Sequence, residues 1–283
     1  MKPQFTLYIL LLTALLLAGC SSQDKEAAAR LQAARTAFEA GNYGEAKSCL
    51  DSIKILYPKA LDARREALDL MQQIDSAEQQ KSFRYFDSIA VVKQQQFDSL
   101  KVAFVLEKNK EYQEVGNYMV ASQSMDKNMS RTYLRGQVSE QGVMSLTSIY
   151  NGGRPLGHKG VKLTCGDTFV ETPLSADVYV SKNLGVTTEK ADFNLGSDGG
   201  VIAFIALNKS NPIKVELTGG AKLAYTLRPQ DADAIARLYV LARCMQSLNE
   251  VKAAREEASR HLQFIAHRKV EQAAEEAQAE KEK

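Results

Sequence analysis

Four cysteines, three histidines and one glycine-rich loop are the residues of this 283-residue chain whose chemistry could reach beyond packing. Cys20 closes the run Leu17-Ala18-Gly19-Cys20, behind two small residues, and is followed by Ser21 and Ser22. Cys49, Cys165 and Cys244 lie in three separate segments with no paired spacing. Buried free thiols are expected there, with a single disulfide as the alternative. A zinc site needs clustered Cys or His ligands, and neither these cysteines nor His158, His261 and His267 supply them. His158 lies in Gly153-Arg154-Pro155-Leu156-Gly157-His158-Lys159-Gly160. A phosphate-binding loop would run from a strand into a helix, with Lys followed by Ser or Thr; here a strand follows, so these glycines read as turn residues. Asp192 and Asp198 flank a loop, but calcium takes about six to eight oxygens, and a solvated turn is the simpler expectation. No Gly-x-Ser-x-Gly nucleophile motif occurs. The expectation is a chain without catalytic residues, metal or non-covalent cofactor.

What positions Cys20 is the segment before it. Met1-Lys2-Pro3 precedes an uncharged stretch from Phe5 to Ala18, apolar apart from Thr6 and Thr13, and small residues follow. That is the pattern of a secretory signal, too short for a comfortable bilayer span of about 20 residues. Leu17-Ala18-Gly19-Cys20 is similar to the lipobox of bacterial lipoproteins. The resemblance implies that a diacylglyceryl group is added to the Cys20 thiol, that residues 1–19 are removed, and that the new N-terminus receives a further acyl chain such as palmitate. It assigns Leu17, Ala18 and Gly19 to signal-peptidase recognition. Two or three acyl chains hold a protein on a membrane essentially permanently. Residues 20–24 would form a short tether, and a residue other than Asp after the cysteine implies the outer membrane, with periplasmic and surface orientations both open.

Residues 25–58 read as two helices around Gly41-Asn42-Tyr43, the second stopped by Tyr57-Pro58. Ala37, Gly41, Tyr43, Ala46, Leu50, Ile53 and Pro58 fall at the small, turn and packing positions of the tetratricopeptide repeat, which this segment resembles over one repeat. The next period would need a glycine turn near position 75, where Asp75-Ser76 stands. A single hairpin has no stacked groove of its own and must dock on the next helix.

Residues 59–120 carry apolar positions at helical spacing, among them Ala67, Met71, Ile74, Phe86, Ile89, Phe97, Leu100 and Phe104, and predict one long helix or two collinear ones. Residues 230–283 repeat the pattern from Ile235 through Leu238, Leu241, Met245 and Leu248 to Ile265, after a start at Pro229 and Asp231. Between them, residues 128–228 hold short segments rich in β-branched and aromatic residues, punctuated by Gly, Asn, Asp and Pro. Expected strands lie near 131–138, 142–150, 160–165, 168–171, 177–181, 186–193, 200–207, 213–218 and 221–228, with Val201 to Leu207 as a central strand and Thr218-Gly219-Gly220-Ala221 as a hairpin turn. The predicted class is α+β: a repeat-like helical hairpin and a long antiparallel helical stalk, with an inserted antiparallel β-sandwich or barrel.

A net charge of +2, spread along the chain, argues against a nucleic-acid partner, and the absence of Trp argues against a flat sugar-stacking platform. The overall plan resembles envelope lipoproteins of Bacteroidota-type bacteria, which implies a location and no activity. The expected role is a non-catalytic structural or protein-interaction module held on the outer membrane through its lipid. An envelope protein is the expected partner, and a homodimer through the stalk is a further possibility. Surface or periplasmic capture of a glycan or peptide is the alternative.

Overall fold

The computed structural model describes residues 23–109 and 111–281. Leu17, Ala18, Gly19 and Cys20 lie outside the described residues. The chain is α+β and divides into two compact units, one of residues up to Ser88 together with those from Lys252 onward, the other Ile89–Val251. Both divisions fall inside long helices.

The helical unit starts with α1 (23–39) and α2 (Tyr43–Leu56), followed by the first part of α3 (Leu61–Lys101). The reversal between α1 and α2 needs a left-handed residue, and Gly41 supplies it with φ of 77°. The Gly41 and Asn42 N–H groups donate to the carbonyls of Phe38 and Ala37, closing the first helix. At the end of α2, the Tyr57 N–H donates to the Ile53 carbonyl, and Pro58 follows. Ala27, Leu31, Ala34 and Ala37 of α1 pack with Ala46, Leu50 and Ile53 of α2 and with Ala67, Leu70 and Ile74 of α3. Alanine at so many contacts lets the helix backbones approach closely. Lys47 of α2 reaches Asp75 at 2.7 Å and Glu78 at 2.6 Å on α3. The last part of α5 (Pro229–Lys281) runs antiparallel to α3 in this unit: Arg255 pairs with Asp87 at 2.9 Å, and Gln72 donates to Gln272 at 2.7 Å.

The β unit is built on two antiparallel sheets. One has six strands in the order β1 (Val105–Glu107), β2 (Asn117–Met119), β3 (Tyr133–Ser139), β4 (Met144–Gly152), β8 (Val186–Asn194) and β7 (Val178–Asn183). The other runs β10 (Leu223–Thr226), β9 (Lys214–Thr218), β5 (Gly160–Cys165) and β6 (Thr168–Glu171). Leu134, Val138, Met144 and Leu146 of the first sheet share a core with Val161, Leu163, Val215 and Leu217 of the second. The start of α5 adds Ile235, Leu238, Leu241 and Met245, and the end of α3 adds Phe97 and Leu100. The approach of α5 to β3 is close: a Cβ on Gly136 would lie 3.0 Å from Leu238 Cδ1. Just past the end of α3, the Ala103 carbonyl accepts a hydrogen bond from Arg237 of α5 at 3.3 Å.

Four expectations need correction. Val201–Leu207 is a helix, α4, and not a central strand. A short run apolar on all sides suits either form; Asp198 decides it, because its carboxylate accepts the Ile202 N–H at 2.7 Å and holds the first turn. Asp198 is buried as a consequence, and is not part of a solvated turn. The long helix expected over 59–120 stops at Lys101. Residues beyond it form the β1–β2 hairpin, where the Asn109 side chain accepts the Glu111 N–H and its carbonyl accepts the Tyr112 N–H, a local turn that competes with helix. Cys49, Cys165 and Cys244 are free, as expected, but only partly buried.

Candidate functional site

Among the described residues, Glu189 is the carboxylate most engaged with the backbone. It sits on β8 opposite Tyr150 of β4, on the side of the sheet that carries Ala191 and Phe193 into the core. One oxygen accepts the N–H groups of Leu156 at 2.8 Å and Gly157 at 2.9 Å; the other accepts the His158 N–H at 3.1 Å and the imidazole Nδ1–H at 2.9 Å. Burial alone would push the carboxyl up, but the Gly157 amide, the His158 imidazole and the two remaining amides together hold it below the usual carboxylate range. The loop is further fixed by Tyr150, whose hydroxyl donates to the Arg154 carbonyl at 2.8 Å, and by the Ala221 N–H, which donates to the Leu156 carbonyl at 2.9 Å. So the glycine-rich loop does cradle an anion, and the anion belongs to its own chain.

A hydrogen-bonded His and Glu can serve as an acid–base pair only if the ring reaches a substrate proton. His158 and Glu189 are 0 % and 1 % exposed, and every oxygen of the carboxylate is occupied, so this arrangement clamps the loop between β4 and β5 onto β8. His158, expected only as a turn residue, is thus half of this clamp, and Glu189 belongs to no motif in the sequence. A signal for it was present: Glu189 falls in phase with the buried residues Thr187, Ala191 and Phe193 of its strand.

No protein family model matches the chain, and no curated protein matches it in sequence. Its surfaces therefore carry the functional argument. In the β unit a groove of about 660 Å³ runs between α3 and α5, with Val92, Leu100, Val240 and Cys244 as its apolar part and Lys93 and Arg243 as its charges. Val92 and Val240 are about half exposed. No carboxylate lines it, and among the described residues neither cation is in an ion pair.

A second concavity of the β unit, about 250 Å³, lies on the outer face of the large sheet. Tyr133, Ile149, Lys190 and Tyr179 form one row across β3, β4, β8 and β7, and Asn151 with Thr188 forms part of the next. The Tyr133 hydroxyl is buried with no hydrogen-bond partner among the described residues, and burial raises its pKa, with Arg135 and Arg131 opposing. Arg131 covers the ring at 5.0 Å and pairs with Asp231 at 2.5 Å.

In the helical unit the structure gathers the repeat-like residues. Ala37, Ala46 and Leu50 meet in the core, Tyr43 packs on Phe38 with ring centroids 6.0 Å apart, and Gly41 and Pro58 occupy the two turns. They are packing residues of the hairpin, and Cys49 packs against the same core. No described helix is long and apolar enough to cross a membrane.

Proposed function

We propose that this chain is a bacterial lipoprotein, anchored at the outer membrane through acyl chains on Cys20, and that it acts without catalysis as a docking module for another envelope protein. The tether rests on the lipobox-like Leu17-Ala18-Gly19-Cys20. The docking role rests on one observation, the α3–α5 groove of the β unit, which combines exposed Val92 and Val240 with Lys93 and Arg243, neither in an ion pair among the described residues. Its chemistry suits an amphipathic helix that presents apolar residues flanked by carboxylates. A second copy meeting this face through the same groove would oppose like charges, so a partner of different sequence is favoured over a homodimer.

The test is cross-linking in intact cells, followed by affinity purification of the detergent-extracted lipoprotein. A defined envelope protein should be recovered with the unaltered chain and lost with Val92→Asp/Val240→Asp, two exposed positions where a charge leaves the core intact. Equal recovery with the double variant would overturn the groove as the docking site. Cys20→Ala should move the protein out of the membrane fraction. Ligand capture is the second reading, and the observation in its favour is the Tyr133-lined concavity. Binding to a glycan panel that is lost in Tyr179→Ala, with no protein partner recovered, would establish that reading instead.

A further inference from the structure

The end of the helical unit next to its N-terminus has an unusual surface. Asp24 and Ala28 of α1 line a common cleft with Lys59, Leu61 and Asp62, so the first turn of α1 lies beside the connection from α2 to α3. That connection and its flanks expose Ile55 at 74 %, Leu56 at 54 % and Leu61 at 70 %. Three large aliphatic side chains left so open at one helix–helix turn are unmatched elsewhere in this unit, whose other turn exposes Gly41 and Asn42. Lys54 and Lys59 flank the aliphatic group, and neither is in an ion pair among the described residues.

Cys20 stands three residues before Gln23, where the description of α1 begins. Three residues of chain reach at most about 10 Å. If acyl chains on Cys20 enter a bilayer, this end of the unit is held at the headgroups and its opposite turn is not. We infer that Ile55, Leu56 and Leu61 form a membrane-seating face that enters the headgroup layer of the phospholipid surface holding the lipid anchor. The aliphatic side chains lie at the acyl boundary, and the stems of Lys54 and Lys59 extend along it with their ammonium groups in the headgroup layer. The inference rests on the lipoprotein reading and adds to it an orientation of the helical unit on the bilayer.

Charge does not drive the seating. Lys25, Lys54, Lys59, Arg64 and Arg65 are offset by Asp24, Glu26, Asp51 and Asp62, and Glu271 and Glu275 follow on the part of α5 that runs toward the start of α3. The contact should therefore need apolar insertion and tolerate salt, unlike a polybasic contact, which weakens as the Debye length shrinks.

The test uses the full lipidated chain in vesicles of phosphatidylethanolamine and phosphatidylglycerol. A photoreactive benzophenone residue replaces Leu56, Leu61 or, as the control at the opposite turn, Asn42. Intact mass first establishes the diacylglyceryl and acyl additions on Cys20. Lipid adducts at positions 56 and 61 should exceed those at 42 by roughly tenfold, and the excess should persist in high salt. Ile55→Ser/Leu61→Ser, both at exposed positions, should lower the adduct yield at 56 several-fold with the helical signal unchanged. A chain found without lipid overturns the anchoring reading and this one with it. A lipidated chain with equal adducts at 42, 56 and 61, or with protein adducts replacing lipid adducts at 56, overturns the seating face alone.

Discussion

The two units are packed by opposite means. In the helical unit the buried core is built largely of alanines, with Ala27, Ala34, Ala37, Ala46, Ala60 and Ala67 carrying the contacts between helices. In the β unit the core is built from Leu134, Met144, Leu146, Leu163, Ile202, Ile205, Leu217, Ile235 and Leu238, large side chains buried from two sheets and two helices. The first combines close backbone approach at these alanines with a few large side chains, Ile53 and Ile74 among them. The second depends on filled volume and on buried polar contacts, among them Glu189 with His158. It follows that the β unit should suffer most from lost volume or an uncompensated charge, and the helical unit from added volume.

The largest effect should come from placing a charge in the β-unit core. Leu238 is fully buried against Gly136, and Leu238→Asp would strand a carboxylate with no partner. A loss of about 4 kcal/mol or more is expected. Hydrogen exchange should show protection collapsing across Ile89–Val251 while the amides of α1 and α2 stay protected. Equal loss in both units would mean that they do not differ in the way their cores suggest.

Glu189→Ala comes next. It leaves the amides of Leu156, Gly157 and His158 and the imidazole without their acceptor, at a cost of about 3 kcal/mol. The same carboxylate gives the β unit a pH dependence of known sign. Its folded pKa lies below the ordinary value, so the unfolded chain takes up the proton first as pH falls. The stabilisation is complete above the unfolded pKa and is lost as pH falls through the folded one. Chemical denaturation of the β unit, followed from neutral pH into the acid range, should lose stability in that window. Glu189→Gln should flatten the slope, and an unchanged slope would remove Glu189 as its source.

Much of the fold was legible in the sequence, for identifiable reasons. Gly160–Cys165 and Thr168–Glu171 coincide with the expected strands because Gly166-Asp167 marks the turn between them. The turn at Gly219 and Gly220 likewise joins β9 to β10 in register, Leu217 opposite Leu223. The small residues of the hairpin, Ala37 and Ala46, pack where the repeat-like spacing places them. What could not be read lay in partners distant in sequence or in competing local hydrogen bonds. Val201–Leu207 becomes helical through Asp198, and α3 ends at Lys101 where a turn at Asn109 and pairing with β3 through β2 draw the chain into the large sheet. Glu189 receives its donors from a loop some thirty residues earlier, which no local pattern near Glu189 specifies.

The helical unit should respond to added volume. Ala46 is fully buried where α2 meets its neighbours, and Ala46→Leu would force the helices apart or the new side chain off its rotamer. Overpacking of this kind costs about 1–3 kcal/mol. Hydrogen exchange of α1 and α2 should report the loss, with β3 and β4 unaffected. A leucine tolerated at this position would show that the hairpin packs loosely, and the close-approach account of its core would fail.

The smallest expected effect concerns the ion pairs that decorate the same unit. Lys47 bridges Asp75 and Glu78 with about a third of its side chain exposed, which is the geometry most open to being over-read as an anchor between α2 and α3. Burial opposes its charge, but the two carboxylates outweigh that and raise its pKa. Solvent screening nevertheless limits the net value of such exposed pairs to about 0.5–1 kcal/mol, even for a shared cation. Lys47→Met keeps most of the aliphatic stem while removing the charge. The variant should lose only that small amount, and the loss should vanish in high salt, where the parent's pairs are screened as well. A salt-independent loss comparable to that of Ala46→Leu would mean that charge, rather than alanine-mediated approach, holds α2 to α3.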